Sequence, residues 1–249
     1  MANLNRRGFL CASIAAATTA IIPAHAFAQT ADPFRLVEPA GAAGDKPSTW
    51  TLHFRYAPPR IITVDLPKVG KKTIWYMVYQ VYNTTPNPQS VTSLRMELVT
   101  KDLNTTHLDE PQPALFRAVA EKEDKEKVMK FLSTIQMTEN PIPVTKPDSF
   151  PRYVSGLAIW TDVPERAGKT NQFSVYVSGL SDGLIAEPAP SGGQIVKIKT
   201  LQLDFFKPTD TIKPGIDDIR AEDNNGLGGE KWIYRAASLR KAAGAPMPK

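Results

Sequence analysis

Alternation of apolar and polar positions is strongest over residues 71–83, KKTIWYMVYQVYN. Trp75, Met77, Tyr79 and Val81 fall on one face of an extended chain, and Ile74, Tyr76, Val78, Gln80 and Tyr82 on the other. The pattern predicts a central strand with one face in a core and the other partly covered. Residues 50–56, WTLHFRY, alternate in the same way and stop at Ala57-Pro58-Pro59. Residues 60–66 predict another strand, and Pro67 to Lys71 the turn into the central one. After a polar loop, Leu94, Met96 and Leu98 resume the alternation, so residues 74–100 read as a strand pair.

The remaining pattern is also mostly β. Residues 153–161 and 172–178 predict two further strands. Over residues 196–206 the apolar side changes part way, which predicts a bulge or register shift near Thr200. Residues 230–236, EKWIYRA, close the set. Residues 115–137 alone carry helical spacing and predict one short helix, or two, covering an end of the sheet, with Leu115, Val119, Val128, Leu132 and Ile135 at turn-like intervals and the pairs Glu121–Lys125 and Glu123–Lys127 at i,i+4. Prolines 141, 143, 147 and 151 require an extended surface segment after it. The fold expected is all-β: an immunoglobulin-like or related antiparallel β-sandwich with a helical insertion near 115–137. Its parts are a signal peptide (1–28), an extended arm (29–48), a single sandwich-like domain (49–236) and a flexible basic tail (237–249).

Composition supports that outline. The 22 prolines among 249 residues exceed the usual share of about 5% and favour short strands joined by rigid turns. The formal charge of +5 falls to +3 if residues 1–28, with two arginines and no acid, are removed. So small a surplus gives no reason to expect nucleic acid as a partner.

Residues 1–28 combine a basic start at Arg6 and Arg7, an alanine-rich apolar stretch, and small residues up to Ala28, the expected cleavage point. Asn5-Arg6-Arg7-Gly8-Phe9-Leu10 resembles the bacterial twin-arginine export motif, with Asn5 in place of the commoner Ser or Thr. The expected location is the periplasm, the cell surface or the medium, with no membrane-spanning segment after cleavage. Cys11, the only cysteine, lies in that segment. The mature chain therefore has no thiol nucleophile, disulfide or cysteine metal site.

Candidate chemistry is sparse. His53 and His107, with Asp102 or Asp109, would suit Zn or Fe, though their spacing does not demand it. Ser178 and Ser181 lie outside any GxSxG elbow, and Gly226 to Gly229 lacks the lysine of a phosphate loop. Asp162, Glu165, Asp182 and Glu187 are loop acids of the kind paired in sugar hydrolysis. Asp217-Asp218, Glu222-Asp223 and Asn224-Asn225 offer oxygen ligands for a structural calcium, and no other cofactor is expected. Asn83 and Asn104 head glycosylation triplets that read as loop residues. Aromatic residues are the abundant resource: Trp50, Trp160, Tyr176 and Trp232 are the expected ligand-facing rings.

The strings W-Y-x-V-Y-x-V-x-N at Trp75 to Asn83, F-x-V-Y-V-x-G-L-S-D at Phe173 to Asp182, and W-I-Y-R at Trp232 to Arg235 resemble a group of uncharacterised exported proteins of planctomycete-like bacteria. That resemblance implies export and an all-β core, and carries over no catalytic residue. The function expected is a non-catalytic exported domain that binds an envelope or periplasmic protein, or glycan, or helps build an envelope assembly. Such a domain calls for an exposed aromatic or apolar patch. One alternative, an exported hydrolase with or without metal, calls for a cavity where His53 or His107 meets a loop acid. Another is an accessory subunit of an exported redox complex.

Overall fold

A computed structural model describes residues 32–236 apart from 68, 92, 191, 217 and 223–228. The expected signal segment and basic tail lie outside the described residues. In chain order the first elements are β1 (Arg35–Val37), β2 (His53–Tyr56), β3 (Arg60–Leu66), β4 (Gly70–Tyr82), β5 (Arg95–Thr100), β6 (Thr106–Leu108) and α1 (Pro113–Glu123). There follow β7 (Leu132–Ser133), α2 (Thr134–Met137), β8 (Val154–Trp160), α3 (Val163–Ala167), β9 (Gln172–Ser178), β10 (Leu184–Pro188), β11 (Gln194–Phe206), β12 (Arg220–Ala221) and β13 (Glu230–Ala236).

These strands form two sheets, antiparallel except where β7 runs parallel to β8. The first has the order β1-β2-β4-β8-β7, with β3 also on β4; the second has the order β10-β11-β9-β5-β6, with β12 and β13 on β11. Each is built on one 13-residue strand, β4 or β11. Two shorter strands lie end to end along one side of each: β2 and β3 beside β4, β9 and β10 beside β11.

The alternation of β4 explains the core. Trp75, Met77, Tyr79 and Val81 join Phe54, Tyr56 and Trp160 of the same sheet, and one buried cluster unites them with Met96, Leu98, Phe173, Val175, Val177, Leu201, Leu203 and Phe205 of the other. Trp75 meets Phe173 edge-on at 5.3 Å, and Tyr56 meets Phe205 at 5.7 Å. The opposite face of β4 is covered as well. Ile74, Tyr76 and Val78 form a second cluster with Leu115 and Val119 of α1. Burying both faces places the central strand among the parts of the chain that bury most apolar surface.

Three local expectations change. β4 and β5 are not a strand pair, because the chain crosses between the sheets after Asn83. Asn83 directs that exit: its Nδ2 donates to the carbonyls of Asn87 (2.8 Å) and Ile142 (3.1 Å), while its Oδ1 accepts from the N–H and hydroxyl of Thr85. Helix α1 stops at Glu123, since the Asp124 carboxylate captures the N–H groups of Val128 and Met129 that a longer helix would use. Glu123 pairs with Arg60 (2.7 Å) and Tyr76 (2.6 Å) instead of with a helical lysine. Strand β11, finally, holds unbroken register with β9 over 200–206 and with β13 over 197–203, without the expected bulge.

Its change of apolar side has another cause. Lys199 lies on the same face as Leu201 yet meets the arm rather than the core. Its Nζ donates to the Ala40 carbonyl at 2.8 Å and to Asp45 at 2.6 Å, and lies 5.5 Å from the Trp232 ring. Tyr234 donates to Asp45 at 2.8 Å, and Trp232 Nε1 to the Glu38 carbonyl at 3.0 Å. The arm is thus tied along the domain by polar contacts and by the short strand β1.

Candidate functional site

The outward positions of β2, β4 and β8 carry aromatic and polar side chains in two rows across three strands. His53 stands opposite Tyr82, and Arg55 opposite Gln80, which in turn faces Ser155. Cross-strand neighbours of this kind lie close enough for their side chains to touch. The imidazole of His53 stacks on Tyr82 at 4.3 Å between centroids, 17° from parallel. Tyr153, one residue before β8, closes that row edge-on against Tyr82 at 5.3 Å.

In the second row Arg55 donates to Gln80 Oε1 at 3.0 Å, and Gln80 Nε2 to Ser155 Oγ at 3.2 Å. The Arg55 guanidinium lies over the Tyr153 ring at 4.6 Å and the Phe34 ring at 5.2 Å, and is ion-paired with Asp32. Two residues of the arm thereby complete the array. A cation held between rings is stabilised by their quadrupoles and loses freedom, which presets the surface. Tyr153 is 40% exposed, and Phe150, three residues earlier in the proline-rich segment, is 96% exposed.

Burial pushes the His53 imidazole below its usual range, against the opposing charge of Glu38. His53 Nε2 shares a hydrogen with Thr84 Oγ1 at 2.9 Å, while Nδ1 is buried without a partner. Burial also pushes the Tyr82 hydroxyl up, with Tyr153 and Glu38 adding to the rise.

The four rings expected to face a ligand occupy separate settings. Trp160 has no exposed surface and lies opposite Trp75 in the core, so it cannot serve as a ligand-facing ring. Trp50 is half-buried against the core, its N–H on Asp182 and its carbonyl accepting from Ser181. Tyr176 is half-buried beneath Arg235 on the second sheet, 4.2 Å from the guanidinium carbon. Trp232 is engaged with the arm.

The expected chemical groups are dispersed except that His107 meets the loop acid Asp162. His107 has no exposed surface; its Nε2 bonds Thr105 Oγ1 at 2.8 Å, and Asp162 lies 2.9 Å from Nδ1 but out of line with a ring N–H. Asp102 accepts from Thr170 and from the N–H of Asn171. Burial raises its carboxyl, but these bonds outweigh burial and hold it below the usual range. Asp109 accepts from the Ile159 N–H and the Thr134 hydroxyl, each at 2.6 Å. Glu187 pairs with Lys197, and Ser181 fixes a turn through Gly183. Among the described residues, no three of His, Cys, Asp and Glu gather at metal-binding geometry. The expected calcium segment falls partly outside the described residues, at 217 and 223–228; Glu222 is paired with Lys101 at 3.0 Å.

No helix among the described residues is long and apolar enough to cross a membrane. Comparison of the chain with protein-family models, with curated proteins and with solved structures finds no match.

Proposed function

We propose that this chain is an exported, non-catalytic β-domain of immunoglobulin-like or related sandwich type that binds a protein of the cell envelope. The observation that carries the reading is the array of His53, Tyr82, Tyr153, Arg55 and Phe34 beside the exposed Phe150. Aromatic and arginine side chains dominate the energetic centres of protein interfaces, and a prearranged set loses less entropy on binding. Phe150 offers a large apolar ring that a partner's pocket would remove from water. Tyr153, 40% exposed, supplies a polar edge for orientation, and Arg55, whose side chain is 12% exposed, holds its ring in place.

A photo-crosslinking residue at Phe150 in the native envelope, read by mass spectrometry, tests this reading. The expected result is one stoichiometric adduct that a crosslinker at Val128, exposed on another segment, does not give. Tyr153→Ala in the chain carrying that crosslinker would abolish it. Isolation of the chain at its bare mass, with no adduct, would remove the protein-binding reading. Saturable glycan binding lost in Tyr153→Ala would replace the protein with a glycan. An accessory role in an exported redox complex is the same surface reading with a redox protein as the partner. The hydrolase alternative draws on the contact of His107 with Asp162, but an imidazole without exposed surface has no route to a substrate.

A further inference from the structure

We propose that Asn104 is a glycosylation site, its side-chain amide taking a saccharide from a pyrophosphate-linked lipid donor of the envelope. The proposal rests on the export reading above, which brings the folded chain to that donor. Two triplets carry the Asn-x-Thr pattern, Asn83-Thr84-Thr85 and Asn104-Thr105-Thr106. The pattern treats them alike, and the structure separates them.

An acceptor triplet must present two groups, the asparagine amide and the hydroxyl two residues on. The first triplet presents neither. Asn83 has no exposed surface and its amide is bonded to Asn87 and Ile142, while Thr85 Oγ1 is engaged with Asn83 Oδ1 at 2.7 Å and the Asn87 carbonyl at 2.9 Å. In the second triplet Asn104 and Thr106 are both exposed, and neither side chain makes a hydrogen bond among the described residues. Arg166 reaches only the carbonyl of Thr106, at 3.4 Å, and leaves its hydroxyl free.

The residue between them is the anchor. Thr105 is half-buried; its Oγ1 lies 2.8 Å from both Thr100 Oγ1 and His107 Nε2, and its N–H donates to Thr100 Oγ1 at 2.9 Å. The triplet is thus held at its centre with both reactive positions outward. Asp102 fixes the base of the same turn by accepting from the Thr170 hydroxyl and the Asn171 N–H. Asn104 itself has φ 53°, a left-handed conformation that asparagine tolerates. Strand β6, which begins at Thr106, is the outermost strand on its side of the sheet among the described residues, so no neighbouring strand covers the triplet.

In the step proposed, the Asn104 amide nitrogen bonds to the anomeric carbon of the donor sugar. The bond from that carbon to the phosphate oxygen breaks, its electron pair leaves on the lipid pyrophosphate, and one amide proton passes to a base of the transferase.

Mass spectrometry of peptides from the chain isolated from its native envelope tests the site. A saccharide mass is expected on the peptide spanning Asn104 and none on that spanning Asn83. Asn104→Gly, which accepts the left-handed φ without strain and so keeps the turn, is expected to lose it. Thr106→Val, which keeps the side chain's shape without the hydroxyl, is expected to lose it as well, and Thr106→Ser to retain it. Bare mass at Asn104 in the envelope chain, or a saccharide that survives Asn104→Gly or Thr106→Val, would overturn the proposal. A chain confined to the cytosol would remove the export reading instead. Incubation of that purified chain with envelope membranes then decides the site: a saccharide on Asn104 supports the proposal, and bare mass overturns it.

Discussion

Gly156 of β8 lies directly opposite Tyr79 of β4, and a Cβ on Gly156 would sit 2.3 Å from the phenolic Cζ and 2.5 Å from the hydroxyl. The tyrosine ring therefore lies across a position that can hold no side chain. Both residues are in the inward row of their strands, where Tyr79 is fully buried. The absence of a side chain at Gly156 is what allows the Tyr79 ring to pack there.

Gly156→Ala is expected to destabilise the fold by roughly 1–3 kcal/mol, the usual cost of forcing extra volume into a packed core. Urea denaturation followed by tryptophan fluorescence would show a lower midpoint at an unchanged slope. Combining it with Tyr79→Leu, which vacates the ring volume, should recover part of the loss. Independent, additive effects of the two changes would contradict the packing account.

Asp109 predicts a pH dependence of the opposite sign to that of an ordinary paired carboxylate. Burial pushes its carboxyl up to about 6 from 3.8, with the Glu110 charge adding to the rise, against hydrogen bonds from Ile159 and Thr134 that favour the anion. Between those values the folded chain holds a proton that the unfolded chain has lost, so stability falls as pH rises from 3.8 to about 6. The expected loss is of order 2–3 kcal/mol. In Asp109→Asn this decline should vanish. Asp45, Asp102 and Asp204 are held below the usual range by their donors, so their contribution is lost only below 3.8, and the two windows separate.

The pair Lys199–Asp45 ties the arm to β11. Asp45→Ala leaves the buried ammonium with the Ala40 carbonyl as its remaining hydrogen-bond acceptor, and is expected to cost about 3 kcal/mol. Adding Lys199→Met removes the stranded charge and should restore most of that loss. Hydrogen exchange over residues 38–45 should accelerate in both variants, because each loses the anchor. Unchanged exchange there would mean that β1 and the Trp232 contact suffice to hold the arm.

What the sequence made legible follows from the distance over which each pattern acts. The alternation of Trp75 to Tyr82 is local, and the structure has the central strand it predicts, with the second face, expected to be partly covered, buried as well. Lys199 misled because a charge on an apolar face looks like a register shift, when its partners Ala40 and Asp45 lie more than 150 residues away. The array was unreadable for a related reason. His53, Tyr82 and Tyr153 become neighbours only through the registers of β2, β4 and β8, which a single sequence does not specify. The one local signal was the row of polar tips, Gln80 and Tyr82, on the outward face of β4. Trp160 failed as a surface residue because strand alternation identifies two faces without saying which one meets the second sheet.

Asn83 offers the sharpest test of the crossover between the sheets. Its side chain has no exposed surface, and both its amide hydrogens and its carbonyl oxygen are engaged, so it is a structural residue and not an accessible glycosylation acceptor. Asn83→Ala deletes these bonds and leaves buried groups unpaired, for an expected loss of roughly 2–4 kcal/mol. Asn83→Asp should be worse at neutral pH, although it is nearly isosteric. Its carboxylate still accepts from Thr85, but the other oxygen would face the carbonyls of Asn87 and Ile142 with no hydrogen to donate, and the charge would be buried. Burial and these acceptors raise the carboxyl of such a residue, so the folded chain would regain a donor hydrogen as pH falls, while the unfolded chain protonates only lower. The deficit of the aspartate variant relative to wild type should therefore shrink from pH 7 to pH 5, whereas that of the alanine variant should stay constant. Parallel pH profiles for the two variants would show that the Nδ2 donors do not hold the turn.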